Sequence, residues 1–171
     1  PLTEMPEMLK KATVSIEDKE FYKHQGFDPK GIIRAVFHIV TFSGIQGGST
    51  LTQQLVKNVL LTTEQTIPRK IKEFVLAIQI EKKYSKDEIL QMYLNEAPYG
   101  GTMWGIEAAA LGYFNKHTKE LSDLESIVLA GFPQRPTYYS PYSGNNRAYV
   151  KRSEEVLRRM REDGIITVDQ E

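Results

Sequence analysis

The chain has 171 residues with Lys+Arg and Asp+Glu balanced at 22 each, three histidines and no cysteine. That length fits one domain with a real core. A net charge of zero supplies no global field to recruit nucleic acid, so any basic site must be local. The absence of cysteine excludes disulfides and thiolate metal sites, and His24, His38 and His117 are too scattered to suggest a histidine metal cluster. The most apolar window, 31–42, is interrupted by Arg34 and His38 and falls short of the ~20 apolar residues that cross a bilayer. The chain opens at Pro1, and Thr167 and Gln170 have capping-box spacing at its very end. The expectation is a piece of a longer protein.

In chain order the periodicity is helical. Leu9, Ala12 and Ile16 mark one face of a first helix that leads to Glu17. Asp28-Pro29 reads as an N-cap and a first-turn proline, opening a helix to about residue 42. Ser49 or Thr50 caps the next, which runs to about Leu61. Ile71, Phe74, Val75 and Ile78 form an i, i+3, i+4, i+7 stripe on a helix over about 68–83. Ser85–Glu88 and Ser122–Glu125 are capping boxes ahead of apolar runs, and 105–114 reads as a helix of small residues. A loop rich in proline and tyrosine is expected over 133–146, then a last helix over 148–161 with Val150, Leu157 and Met160. No sustained strand alternation, internal repeat or low-complexity linker is present, so the sequence predicts a single all-α domain.

Three polar stretches are not explained by a core. Gln46-Gly47-Gly48-Ser49-Thr50, followed by Gln53, Gln54, Lys57 and Asn58, sets glycines, hydroxyls, amides and a cation at a helix start, where anions and sugar hydroxyls bind. Local capping by Thr50 and Gln53 is the competing reading there. Glu17 precedes Phe21 and Tyr22, whose apolar surface can raise its pKa as a general base or acid requires; taken alone, it reads better as a solvated helix-end acid. Arg69, Lys70 and Glu73 read either as an i, i+4 surface pair or as a clamp for a leaving diphosphate. Together the stretches suggest sugar-phosphate chemistry.

These segments resemble the motifs of the peptidoglycan glycosyltransferase domain of class A penicillin-binding proteins and monofunctional glycosyltransferases, glycosyltransferase family 51. Glu-Asp-x-x-Phe-x-x-His-x-Gly falls on Glu17, Asp18, Phe21, His24 and Gly26. Gly-x-Ser-Thr-x-x-Gln-Gln-x-x-Lys falls on Gly47 or Gly48, Ser49, Thr50, Gln53, Gln54 and Lys57, and Arg-Lys-x-x-Glu on Arg69, Lys70 and Glu73. A fourth motif matches Lys86, Ile89, Leu90, Tyr93, Leu94 and Asn95, and a fifth resembles 130–136 through Ser140-Pro141. Arg135 and the tract 95–99 depart from the common pattern without touching the proposed catalytic residues.

The resemblance implies a lysozyme-like, two-lobed helical fold over 1–171, with a small membrane-facing lobe at roughly 27–62 and a cleft between lobes. It implies polymerisation of lipid II onto a lipid-linked glycan strand, with inversion and release of undecaprenyl diphosphate. Glu17 would be the general base, Lys57 and Arg69 the diphosphate clamp, and Glu73 its support. Asp18, Ser49, Thr50, Gln53, Gln54, Asn58 and Lys70 would contact substrate. No cofactor is obligatory, although a divalent cation (Mg2+ or Mn2+) would assist the diphosphate without a dedicated ligand set. The expected setting is the outer face of the bacterial cytoplasmic membrane, with an anchoring helix outside this chain and a transpeptidase domain in the full-length protein. The rivals are a lysozyme-like muramidase or lytic transglycosylase, which has no need of Lys57 and Arg69, and a noncatalytic lipid II-binding module.

Overall fold

Local capping and apolar period decide where the helices start and which way they face. The computed structural model describes residues 1–26, 48–60, 66–144 and 147–171. The helix expected over 28–42, and the small lobe of 27–62 apart from 48–60, lie outside the described residues. Helix α1 (Glu7–Glu17) buries Leu9, Ala12 and Ile16 as its sequence predicts, and stops at Asp18, which leaves the helical region. Helix α2 (Leu51–Leu60) follows a reciprocal cap: Thr50 Oγ1 accepts from the Gln53 amide at 3.2 Å, and Gln53 Oε1 accepts from the Thr50 amide at 3.3 Å. Helix α3 (Ile67–Lys83) is capped by Thr66, with a proline in its first turn.

Complete capping boxes at Ser85/Glu88 and Ser122/Glu125 open α4 (Lys86–Glu96) and α6 (Asp123–Ala130). Between them, β1 (Pro98–Gly100) pairs antiparallel with β2 (Met103–Trp104), and α5 (Ile106–Phe114) follows. This hairpin is too short to show an alternation, so the sequence does not announce it. The expected loop over 133–146 contains a short helix, α7 (Pro136–Tyr139), and a 3-10 turn at Pro141–Ser143. Helix α8 (Ala148–Glu162) ends the helical part of the chain, and the Thr167–Gln170 box closes over a 3-10 turn.

Helix α1 packs on α6 and α8, which also pack on each other, while α2 packs on α3 and α4. Leu9, Phe21, Leu51, Ile89, Tyr93 and Leu129 belong to one buried cluster that joins the two groups, and Ala12, Ile16, Ile127, Val156 and Met160 form a second. Each such fully buried large side chain contributes ~1.5–3 kcal/mol. The all-α expectation holds, and the site lies where the end of α1 meets the start of α2.

Two predicted faces turn out differently. On α3, Ile71 and Val75 are exposed, and the buried positions are Glu73 and Ala77. The reason is proximity: the backbone at Gly26, with φ +85°, runs so close to α3 that a Cβ there would sit 3.0 Å from the Ala77 carbonyl carbon. No side chain fits on Gly26 at that crossing, which holds the Ala77 face of α3 inward; Ile71 and Val75 turn outward, while Phe74 and Ile78 stay half-buried. On α8, Val150 is exposed and the inward row is Ala148, Arg152, Val156 and Met160. An arginine thus occupies a core-facing position.

Gly105 fixes the passage from the hairpin into α5. It adopts φ +80°, and a Cβ would approach the Asn95 carbonyl oxygen to 2.4 Å. Gly105→Ala is expected to lower unfolding free energy by about 2–3 kcal/mol in denaturant titration, combining left-handed backbone strain with a backbone clash. A loss below about 0.5 kcal/mol would show that the α4–α5 junction yields without cost.

Candidate functional site

Glu17 is the last residue of α1, and its side chain is only 6% exposed. Its Oε2 accepts from Gln54 Nε2 at 2.9 Å, and its Oε1 accepts from Arg152 Nη2 at 3.3 Å. Gln54 is itself held from α4, because its amide oxygen accepts from the Tyr93 hydroxyl at 3.3 Å. Burial pushes the Glu17 carboxyl above its ordinary value; the Gln54 hydrogen bond and the charges of Arg152 and Lys57 pull it back without cancelling the effect. The same enclosure, with Glu17's own charge, raises the phenols of Tyr93 and Tyr99. The expected raised carboxylate is therefore present. The aromatic groups coupled to it are Tyr93 and Tyr99, while Tyr22 is exposed with its hydroxyl on Asp87.

Asp18 faces inward and organises the start of α2. Its Oδ2 accepts from the Leu51 amide at 2.9 Å, placing a carboxylate at a helix N-terminus. His24 Nε2 lies 3.0 and 2.9 Å from its two oxygens. Thr50 and Gln53 are also directed into the protein: besides capping α2, they donate to the Gly26 carbonyl at 3.1 and 3.3 Å. The first two motifs thus interlock, Asp18 and Gly26 from one gripping the helix start of the other. Gln54, one residue further, is left to face Glu17, and Lys57 lies exposed one turn on, with half-buried Asn58 beside it.

On α3, Lys70 Nζ donates to Ser49 Oγ at 2.8 Å and pairs with Glu73. Glu73 is 1% exposed, and its Oε2 has no hydrogen-bond partner among the described residues. Arg69 sits half-buried in the first turn of the same helix. The structure therefore brings Glu17, Gln54 and Lys57 together, and separately joins Ser49, Lys70 and Glu73 across α2 and α3.

Sequence reasoning overlooked two residues. Arg152 lies far along the chain, and the hydrophobic pattern of α8 gives no hint of a buried guanidinium; its place in the row 148, 152, 156, 160 was the available signal. Glu81 was also overlooked: it accepts from Thr52 and pairs with Lys86 at 2.6 Å, tying α2, α3 and α4 together. Lys86 Nζ lies 4.5 Å from the Phe21 ring centroid, a cation–π distance. Among the described residues, no group of three or more His, Asp or Glu is arranged to hold a metal, and no helix is long and apolar enough to cross a membrane.

The sequence profile of the family described as Transglycosylase matches residues 1–161. Penicillin-binding protein 1A of Clostridium botulinum (strain Langeland / NCTC 10281 / Type F) is 47% identical over 95% of this chain and 21% of its own length. Penicillin-binding protein 1F of Bacillus subtilis (strain 168) is 42% identical over 97% and 23%. Penicillin-binding protein 1A of Aquifex aeolicus (strain VF5) is 45% identical over 99% and 23%. The chain thus spans between a fifth and a quarter of the length of these curated relatives.

A raised carboxyl makes the ionised form less favourable in the fold than in the unfolded chain. Ionised Glu17 therefore costs stability at neutral pH, and that cost fades as pH falls through its folded-state pKa. Glu17→Gln, which mimics the neutral form, is expected to melt above the parent chain at neutral pH, with the gap closing under acid. Calorimetry at both pH values checks this; a variant that melts lower at neutral pH contradicts it.

Proposed function

The chain belongs to the transglycosylase family, and from that membership and the Glu17 site we propose that it is a peptidoglycan glycosyltransferase. It polymerises lipid II, joining it to a lipid-linked glycan strand. The observation that carries this reading is Glu17: a buried carboxylate, basic enough to take a proton, lying in the field of the Lys57 cation on the next helix.

Glu17 accepts the proton of the acceptor sugar's 4-hydroxyl as that oxygen attacks the anomeric carbon of the donor. A carboxylate oxygen has two lone pairs, and each Glu17 oxygen carries one protein donor, so a sugar hydroxyl can still be received. The configuration inverts in one displacement, no sugar–enzyme bond forms, and undecaprenyl diphosphate departs. Lys57 and Arg69 neutralise the developing charge on the diphosphate. Lys70 and Ser49 supply further donors, and Glu73 holds Lys70 in place. Asn58 flanks the clamp, while Asp18, Thr50 and Gln53 serve by fixing the helix start that aims Gln54 and Lys57. A divalent cation would add to the neutralisation of the diphosphate, and the described residues offer it no dedicated set of ligands.

The setting is the outer face of the bacterial cytoplasmic membrane, within a longer protein that supplies the membrane anchor and a transpeptidase domain. The raised Glu17 also suits the general acid of a glycan-cleaving enzyme. Lys57, Arg69 and Lys70 favour the transferase, since a diphosphate leaving group needs cations and a sugar leaving group does not.

The test is polymerisation of labelled lipid II in detergent by the parent chain, Glu17→Gln and Lys57→Ala. The parent makes glycan strands, Glu17→Gln loses about 10²-fold or more, and Lys57→Ala loses about 10²-fold in kcat. Cleavage of finished peptidoglycan by the parent, with no extension of lipid II, would replace this reading with the hydrolase.

A further inference from the structure

We propose that Arg152 is a positioning residue for Glu17: it locks one carboxylate oxygen from α8, keeps the group anionic before attack, and touches no substrate. This rests on the reading of Glu17 as the general base. The guanidinium is 2% exposed and is fixed by three elements. Nε donates to the Gly131 carbonyl at 3.2 Å, Nη1 to Glu155 Oε2 at 2.7 Å and Nη2 to Glu17 Oε1 at 3.3 Å. Its carbon Cζ lies 5.5 Å from the centroid of the Tyr139 ring. Gly131 is shaped for the passage of this side chain, since a Cβ there would lie 2.8 Å from Arg152 Cγ. With the planar fork pinned by Gly131 and Glu155, Nη2 is held in a fixed plane, and one of its two N–H groups reaches Glu17.

The distances show how the charge is divided. A guanidinium stays protonated at every working pH, so it always opposes neutralisation of the buried carboxylate. Its short contact goes to Glu155, which is partly exposed, and its long one to Glu17. Glu155 therefore shares the cation, leaving Glu17 ionised yet still basic; a bidentate pair would hold the proton affinity too low for a base. The other titratable groups coupled to Glu17 are Lys57 from α2 and the phenols of Tyr93 from α4 and Tyr99 from β1. None of the phenols carries charge near neutral pH, so Arg152 and Lys57 are the cations that set the balance.

The experiment is the pH profile of kcat/KM for lipid II polymerisation by the parent chain and by Arg152→Gln, Arg152→Lys, Glu155→Gln and Glu17→Gln, each checked for folding by circular dichroism. Arg152→Gln is expected to move the acidic limb upward by about one pH unit, with KM for lipid II little changed. Arg152→Lys returns the limb toward the parent, and Glu155→Gln moves it downward, because the guanidinium is no longer shared. A structural role alone would lower activity by the same factor at every pH; that result, or an unmoved limb in Arg152→Gln, overturns the proposal. If Arg152→Gln does not fold, Glu155→Gln decides: a downward limb supports the proposal, and an unmoved or upward one overturns it. Full activity in Glu17→Gln overturns the base assignment itself, whereas an inactive Glu17→Gln with an unmoved Arg152→Gln limb overturns the role of Arg152 alone.

Discussion

A carboxylate enclosed between a neutral amide and a guanidinium sets what the surrounding helices must do. Unaccompanied, a buried Glu would take up a proton and cease to be a base. Glu17 avoids this because Gln54 arrives from α2 and Arg152 from α8, on opposite oxygens. Meeting that condition requires the C-terminal end of α1, the second turn of α2 and the inner row of α8 to converge on one point. The contacts of α1 with α8, and of α2 with α4, which bears Tyr93, give that convergence.

Polar anchors and small residues produce the convergence together. Asp18 grips the first amide of α2, and Thr50 and Gln53 grip the Gly26 carbonyl, so the α1 end and the α2 start move as a unit. Each of these bonds adds roughly 1 kcal/mol on its own, but losing one would leave a buried group unsatisfied at greater cost. Gly26 against Ala77, and Gly131 against Arg152, are close approaches where any larger residue would push the elements apart. The Thr52–Glu81–Lys86 contacts hold α2, α3 and α4 at the same level.

The helical architecture was readable because its signals are local. Capping pairs at Ser85/Glu88 and Ser122/Glu125 and the stripe Leu9, Ala12, Ile16 need only a few neighbouring residues to act, and each forms as its spacing predicts. What the sequence hid is tertiary. The outward turn of Ile71 and Val75 is imposed by Gly26, some fifty residues away, and the β1–β2 hairpin is too short to carry a period. At the site, Glu17, Gln54 and Lys57 stood out as polar residues with no place in a core. Arg152 did not, because its row 148, 152, 156, 160 marks only an inward face and cannot name a partner 135 residues away. Thr50 and Gln53 were open to both a capping and a binding reading; the structure shows them capping α2, and their bonds to the Gly26 carbonyl are a tertiary contact that spacing alone does not reveal.

The most direct measurement is a 13C NMR titration of the Glu17 side-chain carboxyl in the parent chain, assigned by difference from Glu17→Gln. The account predicts a midpoint above the ordinary carboxylate value, as burial opposed incompletely by Gln54, Arg152 and Lys57 requires. A midpoint at or below that ordinary value would mean that Glu17 is solvated or fully paired, and would contradict the picture of a buried, basic carboxylate at the junction of α1, α2 and α8.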